Sequence, residues 1–172
     1  MNLPLKTCTV RSWAPSDMAS LVAHANNRHV WIMLRDRFPH PYTTRDGRKF
    51  IRSVLSMQPE TFFAISVDDA AVGGIGFVLQ SDVERVSAEV GYWLGESFWG
   101  RGIVTEALGA VTRYAIERHG LTRIFALPFA HNTASCRVLE KAGYALEARL
   151  RRSAIKDGQI VDQLQYAFTA SA

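Results

Sequence analysis

Apolar and polar positions change period several times along the chain. From Thr7 to Trp13 they alternate, with Cys8, Val10 and Ser12 on one side, which predicts a strand. Pro15-Ser16-Asp17 supplies a helix start, and Met18, Leu21, Val22 and Ala25 follow at helical spacing. A second short helix is expected over Arg28 to Leu34. The two prolines of Phe38-Pro39-His40-Pro41-Tyr42 exclude both helix and ladder there. Thr43 or Thr44 then caps a helix carrying Phe50, Ile51, Val54 and Leu55.

Three strand patterns follow: Thr61 to Val67, Ala71 to Gln80 and Ser87 to Leu94. The short turns between them favour antiparallel hairpins. Gly73, Gly74 and Gly76 weaken the second strand or mark a close approach of another backbone. Val104, Leu108, Val111 and Ala115 make one apolar helical stripe, ended by His119-Gly120. Arg123 to Phe129 reads as a buried strand, Thr133 to Ala142 as a helix closed by Gly143, and Tyr144 to Ile155 as a strand. Lys156-Asp157-Gly158 is the expected turn of a last hairpin completed by Ile160 to Phe168. This order predicts a single α/β (α+β) domain over 1–172, a mixed sheet with helices packed on it, and a short tail at 169–172.

Composition narrows the class. A hydrophobic fraction of 48% and a charged fraction of 21% are those of an ordinary soluble globular protein. No apolar run reaches the roughly 18 residues of a membrane span. The first six residues lack the apolar core of a signal peptide, so a cytoplasmic setting is expected. Cys8 and Cys136 make no disulfide scaffold and read as small buried hydrophobes. The five histidines are scattered without ligand spacing, so no metal is expected, and His119 and His131 are read as structural. A net charge of +4 suits a polyanionic small ligand as well as nucleic acid. The basic run Arg149, Arg151 and Arg152 reads most simply as a solvated strand end. No aromatic RNA-stacking motif is present, and no direct nucleic-acid binding is expected.

The chemistry concentrates in Ser97-Phe98-Trp99-Gly100-Arg101-Gly102-Ile103-Val104-Thr105-Glu106-Ala107. A strand that ends in a short glycine turn and feeds a helix is a way for a backbone to hold a phosphate. A Walker loop would need Gly-Lys and then Ser or Thr, but Ile103-Val104 follow Gly102. A dinucleotide fingerprint would need a third glycine, which is missing.

The turn instead resembles the acyl-coenzyme A pyrophosphate loop of the Gcn5-related N-acetyltransferase (GNAT) superfamily. The fuller match is to its RimJ/RimL-like branch. Three blocks carry it: Glu89-Val90-Gly91-Tyr92-Trp93-Leu94 with Phe98 to Ala107, His131-Asn132-Thr133-Ala134-Ser135 through Gly143-Tyr144, and Arg37-Phe38-Pro39-His40-Pro41-Tyr42-Thr43. The resemblance implies the GNAT fold, with a central, mostly antiparallel sheet. It also implies acetyl transfer from acetyl-coenzyme A to an amine by direct attack in a ternary complex. The family pattern departs at Trp99, where the superfamily favours Gln or Arg, and at Val104, where it favours Gly or Ala.

The resemblance assigns the pyrophosphate to the backbone of Arg101, Gly102, Ile103, Val104 and Thr105. A backbone N–H near Trp93 or Leu94 would face the thioester oxygen, with a strand bulge at Gly91. Glu89 is the candidate base, or else an exposed polar residue of an alternating strand. Asn132 and Ser135 are expected at the pantetheine and sulfur, or as helix-capping residues. The place three residues beyond Ser135, a tyrosine acid in many members, holds Val138. Glu106 reads as a carboxylate favoured by the helix dipole.

Trp31, Arg35, Phe38, Tyr42 and Trp93 are candidate acceptor contacts, or core and loop packing. The acceptor expected from the branch is a protein N-terminal α-amine of ribosomal-protein type. A small-molecule amine and a catalytically silent acyl-coenzyme A binding module are the alternatives. A homodimer is compatible with the chain.

Overall fold

The computed structural model describes residues 1–170. Its eight strands run in the order β1-β2-β3-β4-β5-β6-β8-β7 in one mixed sheet. The elements in chain order are β1 (Asn2–Pro4), β2 (Thr9–Ser12), α1 (Met18–Ala25), α2 (Arg28–Trp31), α3 (Thr44–Leu55), β3 (Phe62–Val67), β4 (Ala70–Leu79) and β5 (Ser87–Leu94). They continue with α4 (Ile103–His119), β6 (Arg123–Ala126), α5 (Thr133–Lys141), β7 (Ala145–Lys156) and β8 (Gln159–Thr169). The chain forms two compact units, Met1–Gly76 with Tyr92–Ala107, and Phe77–Gly91 with the chain from Leu108.

In the first unit β1, β2, β3 and β4 pair antiparallel in succession. Strand β1 was not expected: three residues around a proline show no period, and they are ordered by their partner, with Leu3 opposite Val10. The core gathers Trp13, Leu21, Ala25, Tyr42, Ile51, Val54, Ala64 and Ala71, with Met18, Phe38, Phe50 and Trp93 against it. Helix α1 follows the Pro15–Asp17 turn, as its spacing predicts. Asp17 is buried because Arg11 grips both its oxygens, at 2.7 and 2.8 Å, and Ala14 N–H donates to it. Thr43, not Thr44, caps α3 in a reciprocal box with Asp46. Leu55, placed by its spacing on the buried stripe, lies 50% exposed in the last turn of that helix. Helix α2 is shorter than expected, and single-turn bonds carry the chain on to Leu34.

In the second unit β5 pairs parallel with β6 over Ser87–Glu89, β6 antiparallel with β8, and β8 with β7. Leu108, Val111 and Ala115 of the expected α4 stripe are fully buried while Val104, in the first turn, is half-buried, and Gly120 ends the helix at φ +63°. The β6 ladder stops at Ala126, short of the expected Phe129, because Pro128 has no N–H to donate. The next residues follow β8 irregularly, through Leu164 N–H to Pro128 O and Ala130 N–H to Asp162 O.

Lys156 belongs to β7, so the last turn is the two-residue Asp157-Gly158, both with positive φ. The arginine run is no strand end. Arg149 pairs with Leu164, Arg151 and Arg152 lie on the bulge where the register shifts between Leu150 and Ala154, and Asp162 accepts from Arg149 Nε and Arg152 N–H. Thr169 closes β8 and Ala170 N–H donates to Thr122 O, so neither is tail; 171–172 lie outside the described residues.

Candidate functional site

The glycine turn is built by anchors on both sides. Gly95 N–H donates to Val72 O at 2.8 Å as the chain leaves β5. The indole Nε1 of Trp99 donates to Leu94 O at 2.8 Å, which gives the unusual residue at this place a structural task. Gly100 and Gly102 stand at φ +75° and +78°, and a Cβ on either would meet nothing within 4 Å. The first backbone bond of α4 runs from Glu106 N–H to Gly102 O. Among the described residues the N–H groups of Arg101, Gly102, Ile103, Val104 and Thr105 therefore have no backbone acceptor. They stand at the positive end of a 17-residue helix. Arg101 is exposed, but it is held: one guanidinium nitrogen donates to Ser97 O at 2.8 Å and the group lies 5.1 Å from the Phe98 ring centre. The residue types and φ values suit an anion with phosphate oxygens.

Two carboxylates flank this turn. Glu106 does more than face a dipole: it accepts Lys6 N–H and Thr7 N–H, both at 2.8 Å, and the Thr7 hydroxyl. The Thr7 hydroxyl, with those N–H groups, holds its carboxyl below the usual range. Glu96, on the other side, accepts Asn27 Nδ2 at 2.7 Å and pairs with His29 Nδ1 at 2.8 Å. The sequence reading missed this contact. Asn27 carries a capping signal, but nothing in chain order connects it to residue 96.

Of the acceptor candidates, Phe38, Tyr42 and Trp93 come together, with ring centres 5.0 Å apart for Phe38–Tyr42 and 5.5 Å for Phe38–Trp93. They pack on the core, and burial pushes the Tyr42 phenol up to about 12. Trp31 meets the His40 ring at a tilt, with ring centres 5.6 Å apart, and Arg28 lies over its face. Arg35 is exposed.

In the second unit Glu89 is half-buried and is the last β5 residue paired with β6, opposite Phe125. The register shifts among the described pairings lie at Ile65/Ser66, Leu146/Ala148 and Leu150/Ala154; the β5–β6 pairing ends two residues before Gly91. Asn132 is the N-cap of α5, its Oδ1 accepting Ser135 N–H at 3.1 Å. Ser135 and Val138 are half-buried. Cys8 and Cys136 are free and buried, and burial raises both thiols. His131 stacks on Phe129, and His119 meets the edges of Phe77 and Tyr114. Among the described residues no three metal-ligating side chains gather, and no helix is long and apolar enough to cross a membrane.

A strand, a glycine turn at positive φ and a long helix in a mixed sheet define an α/β arrangement that suits a phosphate-bearing ligand. The model of the acetyltransferase (GNAT) domain matches residues 8–145, and the chain belongs to that family. It is 34% identical over 96 residues to the uncharacterized N-acetyltransferase YoaA of Bacillus subtilis (strain 168), covering 56% of this chain and 54% of that protein. The chain thus spans about half the length of that relative. It is 29% identical over 155 residues to the [ribosomal protein uS5]-alanine N-acetyltransferase of Escherichia coli (strain K12), covering 85% and 78% of the two chains. Among solved structures, the ribosomal L7/L12 α-N-protein acetyltransferase RimL in complex with coenzyme A superposes with a TM-score of 0.86. That likeness covers 98% of both chains at 22% identity, and it shows the fold.

Proposed function

We propose that this chain transfers an acetyl group from acetyl-coenzyme A to a primary amine, with the N-terminal α-amine of a protein or peptide as acceptor. One observation carries the reading: the N–H groups of Arg101 to Thr105 have no backbone acceptor and lie beside two glycines with open Cβ positions. Diphosphate oxygens would complete those N–H groups, and membership in an acetyltransferase family makes an acyl-coenzyme A the fitting diphosphate. The similarity to an enzyme named for ribosomal protein uS5 alanine supports the α-amine.

In this reading the backbone from Arg101 to Thr105 holds the pyrophosphate, so the β-branched Val104 alters contacts without removing them. Arg101 adds charge from a position Phe98 and Ser97 already set, and the Thr105 hydroxyl adds a donor. A backbone N–H at Trp93 or Leu94 stabilises the oxyanion that forms when the amine attacks the thioester carbon. Glu89 accepts the proton the ammonium must lose before that attack. The C–S bond then breaks, the thiolate takes up the proton that the new amide nitrogen loses, and the resemblance gives the Ser135 hydroxyl the role of donor to that sulfur. Asn132 spends its Oδ1 on the α5 cap, which leaves Nδ2 for the ligand.

Purified protein with labelled acetyl-coenzyme A is to be given a panel of peptides with free Ala and Ser N-termini alongside small amines. Label in the peptide α-amines is the expected result. Label in the small amines alone would replace the acceptor. Binding without transfer to any acceptor would reduce the chain to an acyl-coenzyme A binding module. Glu89→Gln is expected to lower turnover by about 100-fold or more while coenzyme A affinity stays constant.

A further inference from the structure

The Glu96 contact reaches further than the turn it sits in. Glu96 opens the tight turn Glu96–Phe98 that delivers the chain to Trp99 and the two open glycines. Its carboxylate faces Asn27 and His29, at the start of α2. Asn27 is used at both ends: Oδ1 caps α2 by accepting His29 N–H at 2.8 Å and Val30 N–H at 3.3 Å, while Nδ2 donates to Glu96. A four-residue helix has no stability of its own, so its direction is set by its cap, by whatever holds the cap and by the packing of its buried Val30. Helix α2 carries Trp31, whose ring meets that of His40 in the proline loop at a tilt, with centres 5.6 Å apart. The same turn is pressed from the α1 side, where His24 meets the Phe98 ring at 5.4 Å. A Cβ on Gly95 would come within 2.8 Å of His24 Nδ1. Phe98 in turn carries Arg101.

We propose that Glu96 is a positioning residue that couples the acyl-donor turn to the acceptor-side segment 27–42. Ligand held at Arg101–Thr105 fixes the Glu96–Phe98 turn, and the Glu96 carboxylate passes that order to Asn27 and α2. Trp31 and the proline loop are thereby set when the donor is bound. By linkage, whatever orders 27–42 tightens the donor by the same factor. The proposal rests on the acyl-donor reading of the turn.

Coenzyme A itself is the probe, since it needs no knowledge of the acceptor. Hydrogen exchange of the full chain is measured with and without it, together with its affinity by calorimetry. In the wild type, coenzyme A is expected to slow exchange in 95–106 and also in 27–42. In Glu96→Ala the first protection is kept and the second lost, with affinity weakened about fivefold. Asn27→Asp separates coupling from helix loss, because its carboxylate still caps α2 but no longer donates to Glu96. It is expected to uncouple the segments as Glu96→Ala does. Glu96→Gln, with one acceptor oxygen left, should fall between. Wild-type protection of 27–42 and wild-type affinity in both Glu96→Ala and Asn27→Asp would overturn the coupling and leave the donor reading standing. Protection of neither segment in the wild type would overturn the donor reading and the coupling with it.

Discussion

Two groups of glycines in the first unit do opposite work. On β4, Gly73 and Gly74 are glycines because something is already there. A Cβ on Gly73 would lie 2.5 Å from Trp93 O and 2.9 Å from a Leu94 methyl, and one on Gly74 2.8 Å from Trp93 Nε1. At the turn, Gly100 and Gly102 are glycines because of a left-handed φ with empty space beyond it. The first pair lets side chains and backbone close up into a core. The second leaves a rim of N–H groups open. Close packing of the one supports the openness of the other, since an open turn keeps its shape only when it is held from behind.

That contrast can be broken by substitution. Gly73→Ala is expected to cost about 3 kcal/mol in denaturant unfolding, because the nearest atom is a strand carbonyl that cannot rotate away. A wild-type midpoint would mean that β4 and Trp93 are not in close approach. Gly102→Asp should act the other way round. It should lose coenzyme A affinity by at least about 100-fold, because a carboxylate stands where phosphate oxygens would lie. Its stability should drop by only about 1 kcal/mol, for the backbone conformation. Unchanged affinity in calorimetry would misassign the turn.

The smallest effect concerns the clamp at Glu106. Its carboxyl is held below its usual range by the Thr7 hydroxyl and the Lys6 and Thr7 N–H groups. The stability it adds is therefore complete above the free glutamate value of about 4.3 and is lost as pH falls through the lowered value in the folded protein. Acid unfolding of Glu106→Gln should depend less steeply on pH below about 4 than that of the wild type. Equal slopes would show the clamp to be energetically silent.

Much of the fold was legible because its strongest signals are local. The α4 stripe, the Asp157-Gly158 hairpin, the proline loop and the Thr43 cap each follow from residues within one turn or one strand of each other. The misses share a cause as well. Strand β1 has no period of its own and is created by β2. The arginine run looked like a strand end because a bulge, and the Asp162 that holds it, cannot be seen along one strand. Leu55 falls on the stripe by spacing but outside it where the helix ends. At the site, the shape of the turn could be read because its two glycines and the helix start are consecutive residues. Asn132 could be read as both cap and ligand, and its Oδ1 is in the cap.

By itself, then, the sequence determined the order of elements from β2 onward, the glycine turn and its likeness to an acyl-coenzyme A loop. All of these depend on near neighbours in the chain and on the φ values that glycine alone takes easily. Only the tertiary structure decided what stands behind the turn: Glu96 on Asn27 and His29, Glu106 on Lys6 and Thr7, and Trp99 on Leu94 O. It also decided that Phe38, Tyr42 and Trp93 pack together. Those pairings join residues up to 100 positions apart, and a hydrogen bond over that span leaves no periodic trace in the sequence.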